Sequence, residues 1–426
     1  MLDFSDAAYR YFPPEPSRFV MWFTRKLNRF VILKGRSHRV RSIEVFGDLD
    51  KVKQLHASGA RILFVANHPS HSDPQMMIEV QRRLKVQSFF MAAYDVFLRS
   101  EWKARLMQKM GCFSIDREGN DRKAMSAAID VLKKGDYALT IFPEGNVYLM
   151  NDRVTPFLDG TSFIVVKAHQ ALKGEGEVWI VPVSFKFTQV GPVSEKVWIR
   201  LKRLAEDSGF SGVLDPSDRV ETVVQIGGHL LTMFLKEKNG IDSAHDFSDI
   251  APEELRDRLL DIVTGLTGDL EDDLAIERNE DLFIVDRVRK IRSKIHQIRI
   301  DENTEETGGE DCISKRADRA ILCFRILAYV LPYFKEHPSV DRYAETVERL
   351  CEDYYFRDFP PYGPRKAMVK VGTPISVGKK LNSSGGKARE VIPALTREIE
   401  ETIQSGIDSL NKENDAHGAS LITNQG

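Results

Sequence analysis

Two side chains that could together accept a proton lie five positions apart, directly after a run of apolar residues. His68 and Asp73 belong to segment 67–73, which follows the apolar stretch 62–66. Histidine accepts a proton near neutral pH, because its ordinary pKa is about 6.5. A carboxylate that binds the other ring nitrogen fixes the tautomer that is useful in catalysis. The spacing therefore predicts a general base at His68, oriented by Asp73.

The local pattern places this pair where a strand is followed by a helix. Residues 62–65 are apolar and branched, as in a buried strand, whereas the apolar residues of 76–84 have helical spacing. Asp73 would be the helix N-cap, with Pro74 at the first helical position. Capping is therefore an alternative role for Asp73. His71 is a rival base, although a residue so close to Asp73 is harder to turn towards it.

Three further segments place reactive or conformationally special residues beside strand-like runs. Segment 111–117 begins with Gly111 and ends with Arg117. Segment 142–145, with the sequence Phe-Pro-Glu-Gly, follows the apolar run 138–141. The fourth segment, 180–183, is an Ile-Val-Pro-Val run of the kind found in buried strands.

In this order the four segments resemble the blocks of the glycerolipid acyltransferase family, of the 1-acylglycerol-3-phosphate acyltransferase type. Those blocks are an Asn-His separated by four residues from an Asp, then Gly-x-x-x-Ile-x-Arg, Phe-Pro-Glu-Gly, and a Val-Pro strand. The first and third blocks are more specific than the other two. Residues 43–47 also resemble the strand that the family places before the first block.

The resemblance implies that His68 takes a proton from a hydroxyl of a glycerol-phosphate or lysophospholipid acceptor, and that Asp73 orients it. The hydroxyl would attack an acyl thioester of coenzyme A or acyl carrier protein directly, and no tightly bound cofactor or metal is implied. Backbone N–H groups near the Glu144–Gly145 turn are candidates to stabilise the developing oxyanion. The resemblance implies substrate-binding roles for Asn67, Gly111, Arg117, Phe142, Pro143, Glu144 and Gly145.

One departure from the family pattern concerns the acceptor. Members that use phosphorylated glycerol acceptors usually continue Phe-Pro-Glu-Gly with Thr-Arg, but here Asn146 and Val147 follow. A valine cannot hold a phosphate, whereas a guanidinium offers a bidentate fork. We therefore expect Arg153, in a following stretch that is again similar to the family, to take over phosphate binding. Arg122 and Lys123, at the start of a helical pattern, are alternatives.

Composition limits the class of protein. The 426 residues are enough for two or three domains, and 42% hydrophobic with 29% charged residues is typical of a globular chain. The formal net charge of −2 argues against a general nucleic-acid partner. The four cysteines have no metal-type spacing and are too few for a disulfide framework, which favours a reducing compartment.

The region 18–36 mixes large apolar and basic side chains and contains no acidic residue. This composition is typical of a helix that lies on an anionic membrane surface, although the segment could instead pack on the catalytic core. We predict neither a signal peptide nor a transmembrane helix. The expected location is cytoplasmic, peripheral to the inner face of a membrane.

The predicted fold class is α/β, with a mostly parallel mixed sheet flanked by helices and a large α-helical insertion. The catalytic domain would comprise residues 41–190 and 360–412, because strand and helix patterns return after the helical region 191–359. Residues 1–40 would face the membrane, and 413–426 would be a disordered tail. Within the insertion the stretches 252–300 and 316–334 have a helical pattern, in which 269–300 could be one arm of a helical hairpin, and we expect a mobile loop at 301–311.

Other functions are possible for the same residues. His68, His71 and Asp73 could be ligands of a hydrolytic metal, but a third imidazole at suitable spacing is missing. Ser70 or Ser72 could be a hydrolase nucleophile, but the Gly-x-Ser-x-Gly elbow is absent. A non-catalytic membrane scaffold that retains the acyltransferase fold is the main alternative, prompted by Val147 and the insertion.

Overall fold

The computed structural model of the protein describes residues 9–117, 121–239, 250–300, 309–329 and 331–415. The chain forms two compact units. The first, the sheet unit, comprises Tyr9–Gly191 and Gly363–Ala419, and the second, the helical unit, contains Pro192–Tyr362. The chain thus leaves the sheet unit once and returns to it.

The sheet unit contains an eight-stranded mixed sheet. Its strands are β1 (Val40–Gly47), β2 (Arg61–Ala66), β3 (Ser88–Ala93), β4 (Cys112–Ile115), β5 (Ala138–Ile141), β6 (Val178–Gln189), β7 (Arg365–Val371) and β8 (Ile375–Ser376). Their order is β1-β7-β6-β2-β5-β3-β4, and β8 pairs with β6. Strand β6 is antiparallel to β7 and β8, and the other pairs are parallel. The predicted fold class, α/β with a mostly parallel mixed sheet, is confirmed.

Helices cover both faces of this sheet. They are α1 (Arg18–Leu27), a π-helix (Asn28–Ile32), α2 (Leu49–Ala57), α3 (Asp73–Leu84), α4 (Tyr94–Leu98), α5 (Glu101–Lys109), α6 (Arg122–Lys134), α7 (Gly160–Ala171), α15 (Val377–Ser383) and α16 (Ala388–Asp415). Alternate side chains of β2 point to opposite faces of the sheet and pack against the helices on each face. Ile62 and Phe64 belong to the cluster that contains α3, whereas Leu63 and Val65 belong to the cluster that contains α7 and α16.

The N-terminal segment is part of the sheet unit. Phe12 stacks on Phe97, with ring centroids 5.0 Å apart, and Leu33 is buried. The Asn28 amide donates to the carbonyl of Gln75 in α3. Residues 9–40 therefore pack on the fold by part of their surface, which is the alternative that the sequence left open for this segment.

The helical unit contains α8 (Ser194–Asp207), α9 (Arg219–Asn239), α10 (Pro252–Asp273), α11 (Ile284–Ile300), α12 (Glu310–Leu327), α13 (Leu331–Glu336) and α14 (Val340–Tyr355). The stretches 252–300 and 316–334 are helical, but each contains more than one helix. The helix over 252–300 breaks after Asp273, where Ala275 has a positive φ of 51° that helical backbone excludes. The helix over 316–334 is divided between α12 and α13.

Two expected mobile regions fall partly outside the described residues. Of the loop 301–311, residues 301–308 are not described, and α12 already begins at Glu310. Of the tail 413–426, residues 416–426 are not described, and α16 continues to Asp415. Cys112, Cys323 and Cys351 are buried, whereas Cys312 is partly exposed. No helix in the described part of the chain is long and apolar enough to span a membrane.

Candidate active site

The segments that follow three strands meet at one edge of the sheet. His68 follows β2, Arg117 follows β4, and segment 142–145 follows β5. Strands β2 and β5 are parallel neighbours, with Val65 opposite Ile141. The carboxyl ends of parallel strands lie at the same edge, which is where open α/β sheets generally bind their ligands.

The His68 imidazole and the Asp73 carboxylate form a direct hydrogen bond. His68 Nδ1 lies 2.7 Å from Asp73 Oδ2, which also accepts the Ser70 N–H at 2.8 Å. Asp73 is fully buried, while the His68 side chain is 16% exposed. With Nδ1 as the donor to this carboxylate, Nε2 would be the nitrogen that can accept a proton.

Asp73 is the first residue of α3 rather than its N-cap, because the cap position is occupied by Ser72. The Asp73 carboxylate turns back to the loop and binds Ser70 and His68. Burial raises the pKa of Asp73, while the hydrogen bond from His68 and the positive charge of Arg365 act in the opposite direction. The capping role considered for Asp73 is therefore not the one that its side chain performs.

Glu144 holds the backbone of the histidine. Its Oε1 accepts the His68 N–H at 2.7 Å, and its Oε2 accepts the Thr155 N–H at 3.1 Å and the Thr155 hydroxyl. The side chain is buried, and burial raises its pKa to about 7. Phe142 stacks on the imidazole, with ring centroids 4.4 Å apart. Segment 142–145 thus contacts both the main chain and the imidazole ring of His68.

Arg117 is bound on several sides by the protein itself. One Nη donates to the Gly145 carbonyl and to the Asn146 side chain, each at 2.6 Å, and the other pairs with Asp95 at 2.5 Å. Asp95 carries no sequence signal, and only the structure identifies it. A phosphate bound here would have to share the guanidinium with this carboxylate.

Three further predicted residues have structural roles at this edge. The Asn67 amide donates to the Phe185 carbonyl and accepts its N–H, which joins the end of β2 to β6. The Pro143 carbonyl accepts the Leu158 N–H. The Gly145 N–H donates to the Phe142 carbonyl at 3.2 Å, so this amide already has a partner within the turn.

Gly111 is not brought to this edge. It precedes β4, whereas Arg117 follows it, so the two lie towards opposite ends of that strand. Its φ is +85°, and a Cβ there would meet the Phe89 ring at 2.4 Å. The structural requirement for glycine is thus close packing and a left-handed backbone, and substrate contact at the His68 edge is not supported.

Arg153 lies in the loop that follows segment 142–145. Its side chain is exposed, and two residues later Thr155 contacts Glu144. The neighbouring Asp152 pairs with the largely buried Lys186. The structure therefore places Arg153 in the segment that contacts the Phe-Pro-Glu-Gly turn, on its solvent side.

The alternatives based on metal or serine chemistry gain no support from this geometry. The Nδ1 of His68 and the Oδ2 of Asp73, which would be metal ligands, are joined by a hydrogen bond. The hydroxyls of Ser70 and Ser72 both accept hydrogen bonds from Arg365. Ser72 Oγ does lie 3.0 Å from His38 Nδ1, but the Ser72 side chain is buried, so its hydroxyl is not presented to a substrate as a nucleophile would be.

Comparison with known proteins indicates the family that this chain resembles. Residues 44–186 match the family model described as Acyltransferase. The 1-acyl-sn-glycerol-3-phosphate acyltransferase of Streptococcus pneumoniae (strain ATCC BAA-255 / R6) is 30% identical over 158 residues, which cover 37% of this chain and 51% of that protein. The chain thus spans about half the length of this curated relative. No solved structure gives a significant match.

Over residues 44–186 the chain is therefore similar to the Acyltransferase family. The resemblance to the 1-acylglycerol-3-phosphate acyltransferase type is confirmed. The matched region contains His68, Asp73, Arg117, Glu144 and Arg153. It contains neither the helical unit nor strand β7.

Proposed function

We propose that the protein is a glycerolipid O-acyltransferase in which His68 is the general base. The observation that carries this proposal is the 2.7 Å hydrogen bond between His68 Nδ1 and the fully buried Asp73 carboxylate. The bond orients the ring and leaves Nε2 as the proton acceptor. This is the base and orienting group of a hydrolase triad, and the substrate supplies the nucleophilic oxygen.

In the proposed reaction, Nε2 takes the proton of the acceptor hydroxyl as its oxygen attacks the thioester carbonyl. A C–O bond forms, and the tetrahedral intermediate collapses with cleavage of the C–S bond. The thiolate leaves with the proton returned by the imidazolium, so the products are an ester and a free thiol. The donor is an acyl thioester of coenzyme A or acyl carrier protein, and no acyl-enzyme forms.

The proposed acceptor is a glycerol phosphate or a lysophospholipid. The name of the pneumococcal relative, an acyltransferase for 1-acyl-sn-glycerol-3-phosphate, supports this class. We assign the acceptor phosphate to Arg153, because its side chain is exposed and its loop contacts Glu144 through Thr155. We assign the positioning of the Gly145 turn mainly to Arg117, which donates to the Gly145 carbonyl.

We further propose that the protein docks on an anionic membrane surface through the aromatic face of α1, which consists of Phe19, Trp22 and Phe23. These side chains are 70%, 55% and 50% exposed. Met21 and Thr24, on the other side of α1, are buried. A spacing of three and four residues places the aromatic rings on one helix face.

The charges around the aromatic face support an anionic surface as its partner. All the charged side chains of segment 18–36 are basic. Backbone hydrogen bonds from Glu15 to Gln108 and from Ser17 to Lys109 fix the start of α1 against α5. A rigidly held face with aromatic and basic residues is suited to the headgroup boundary, where a lipid acceptor would be found.

Replacement of His68 by Ala should remove acyl transfer. We expect thiol release from acyl-coenzyme A or acyl carrier protein, with lysophosphatidate or glycerol 3-phosphate as acceptor, to fall at least about 100-fold, because the general base is lost. His71→Ala, in the same loop, is the matched control and should retain far more activity. Equal rates for wild type and His68→Ala would contradict the assignment. A wild type inactive with every donor and acceptor would favour the scaffold alternative.

Replacement of Arg153 by Ala should weaken the binding of phosphate-bearing acceptors. We expect the KM for lysophosphatidate to rise about tenfold or more, with a smaller change in the KM for the thioester, because one charge-assisted contact is lost. Steady-state kinetics with both substrates varied would measure this. Lys167→Ala, on the surface of α7, serves as the charge control. Unchanged activity of Arg153→Ala on every phosphate-bearing acceptor would refute the assignment.

Replacement of Trp22 by Ala should reduce binding to vesicles of phosphatidylglycerol and phosphatidylcholine. We expect about a tenfold loss in partitioning, because a large aromatic side chain no longer enters the bilayer boundary. Flotation of the full chain measures this. Phe283→Ala is the matched control, since Phe283 is 82% exposed but lies in the helical unit. Unchanged flotation of Trp22→Ala, or no flotation of the wild type, would count against the aromatic face.

A further inference from the structure

A buried arginine at the start of β7 contacts the loop that carries His68. Arg365 is 7% exposed. Its Nη1 donates to Ser70 Oγ at 3.1 Å, and its Nη2 donates to Ser72 Oγ at 2.6 Å. These two serines lie between His68 and Asp73. One guanidinium thus binds both hydroxyls of the loop that connects the base to its carboxylate.

The same guanidinium is itself fixed. Its Nε and Nη2 donate to the His38 carbonyl at 3.2 and 2.8 Å, and it lies 4.7 Å from the centre of the Phe187 ring. His38 Nδ1 lies 3.0 Å from Ser72 Oγ. Burial and Arg365 lower the pKa of His38 to about 4, so this ring is neutral near pH 7. The arginine therefore joins three separate parts of the chain around the loop.

We propose that Arg365 is a positioning residue for acyl transfer, which holds loop 68–73 in the conformation that keeps His68 aligned with Asp73. The role follows from the geometry of the guanidinium, whose planar fork reaches two hydroxyls and one carbonyl together. Arg365 is not a catalytic residue, because its contacts are with the loop and not with the imidazole. This inference rests on the proposed function of His68.

Arg365 belongs to the part of the sheet unit that follows the helical unit in the chain. It lies three residues after Tyr362, where the chain leaves the helical unit, and outside the matched region 44–186. A residue that follows the insertion in the chain thus binds the loop that carries His68. An acyltransferase domain cut at residue 191 would lack both β7 and this clamp on the loop.

The kinetic test replaces Arg365 by Met, which keeps much of the buried volume, and by Lys, which keeps the charge but not the fork. We expect kcat to fall about 10- to 100-fold in both variants, because small displacements of a base are costly. Both KM values should change less than about threefold. Arg61→Met, at the other end of β2, is the control and should retain wild-type kcat. Retention of full kcat by Arg365→Met would overturn the proposal, as would recovery in Arg365→Lys.

A second variant and a measurement that does not depend on catalysis separate the role of Arg365 from the proposed function of His68. Ser70→Ala combined with Ser72→Ala removes the same contacts on the loop side and leaves β7 intact, so it should reproduce the loss of kcat even if Arg365→Met does not fold. Hydrogen–deuterium exchange should accelerate in loop 68–73 of each variant and remain unchanged in β2. Unchanged exchange in the loop refutes the clamp, whether or not the wild type transfers acyl groups.

Discussion

The hydrogen bond between His68 and Asp73 is the interaction on which the rest of the site depends. A fully buried carboxylate is costly unless it has partners, and here it accepts from the imidazole and from the Ser70 N–H. The partly exposed ring then presents Nε2 away from the carboxylate. Because the carboxylate is buried and the ring is partly exposed, the pair fixes the orientation of the imidazole. A fully solvated ion pair would not fix it.

The surrounding structure holds this pair from several independent directions. Glu144 binds the His68 main chain, Phe142 packs against the ring, and Arg365 binds the two loop serines. Arg117 in turn binds the Gly145 carbonyl and so steadies the turn next to Glu144. Charged and aromatic groups from β7 and from the segments that follow β4 and β5 thus restrict the proposed base, as preorganisation requires.

Structural features that depend on a local sequence pattern could be predicted from the sequence. The strands next to His68 and Glu144 were predictable, because they are short apolar runs covered on both faces, and α3 was predictable from its spacing and Pro74. The pairing of His68 with Asp73 follows from residues in one turn. Gly111 was misplaced, because a motif does not tell which end of a strand carries the function.

Long-range partners could not be predicted. Arg365 lies 295 residues from Ser70 in the chain, and nothing in its neighbourhood marks it as buried. Asp95 pairs with Arg117 only because β3 and β4 are neighbours in the sheet. The break after α10 is equally hidden, since Ala275 has good helix propensity and adopts a positive φ through its tertiary setting.

The proposed base requires a proton on Nδ1 of neutral His68 and a bare Nε2, and nitrogen NMR of histidine-labelled protein distinguishes the two ring nitrogens. We expect the proton on Nδ1. The signal is assigned by its absence from His68→Gln. A proton on Nε2 instead, with Nδ1 bare, would mean that the carboxylate does not orient the ring, and the proposed base would have no free nitrogen facing the acceptor.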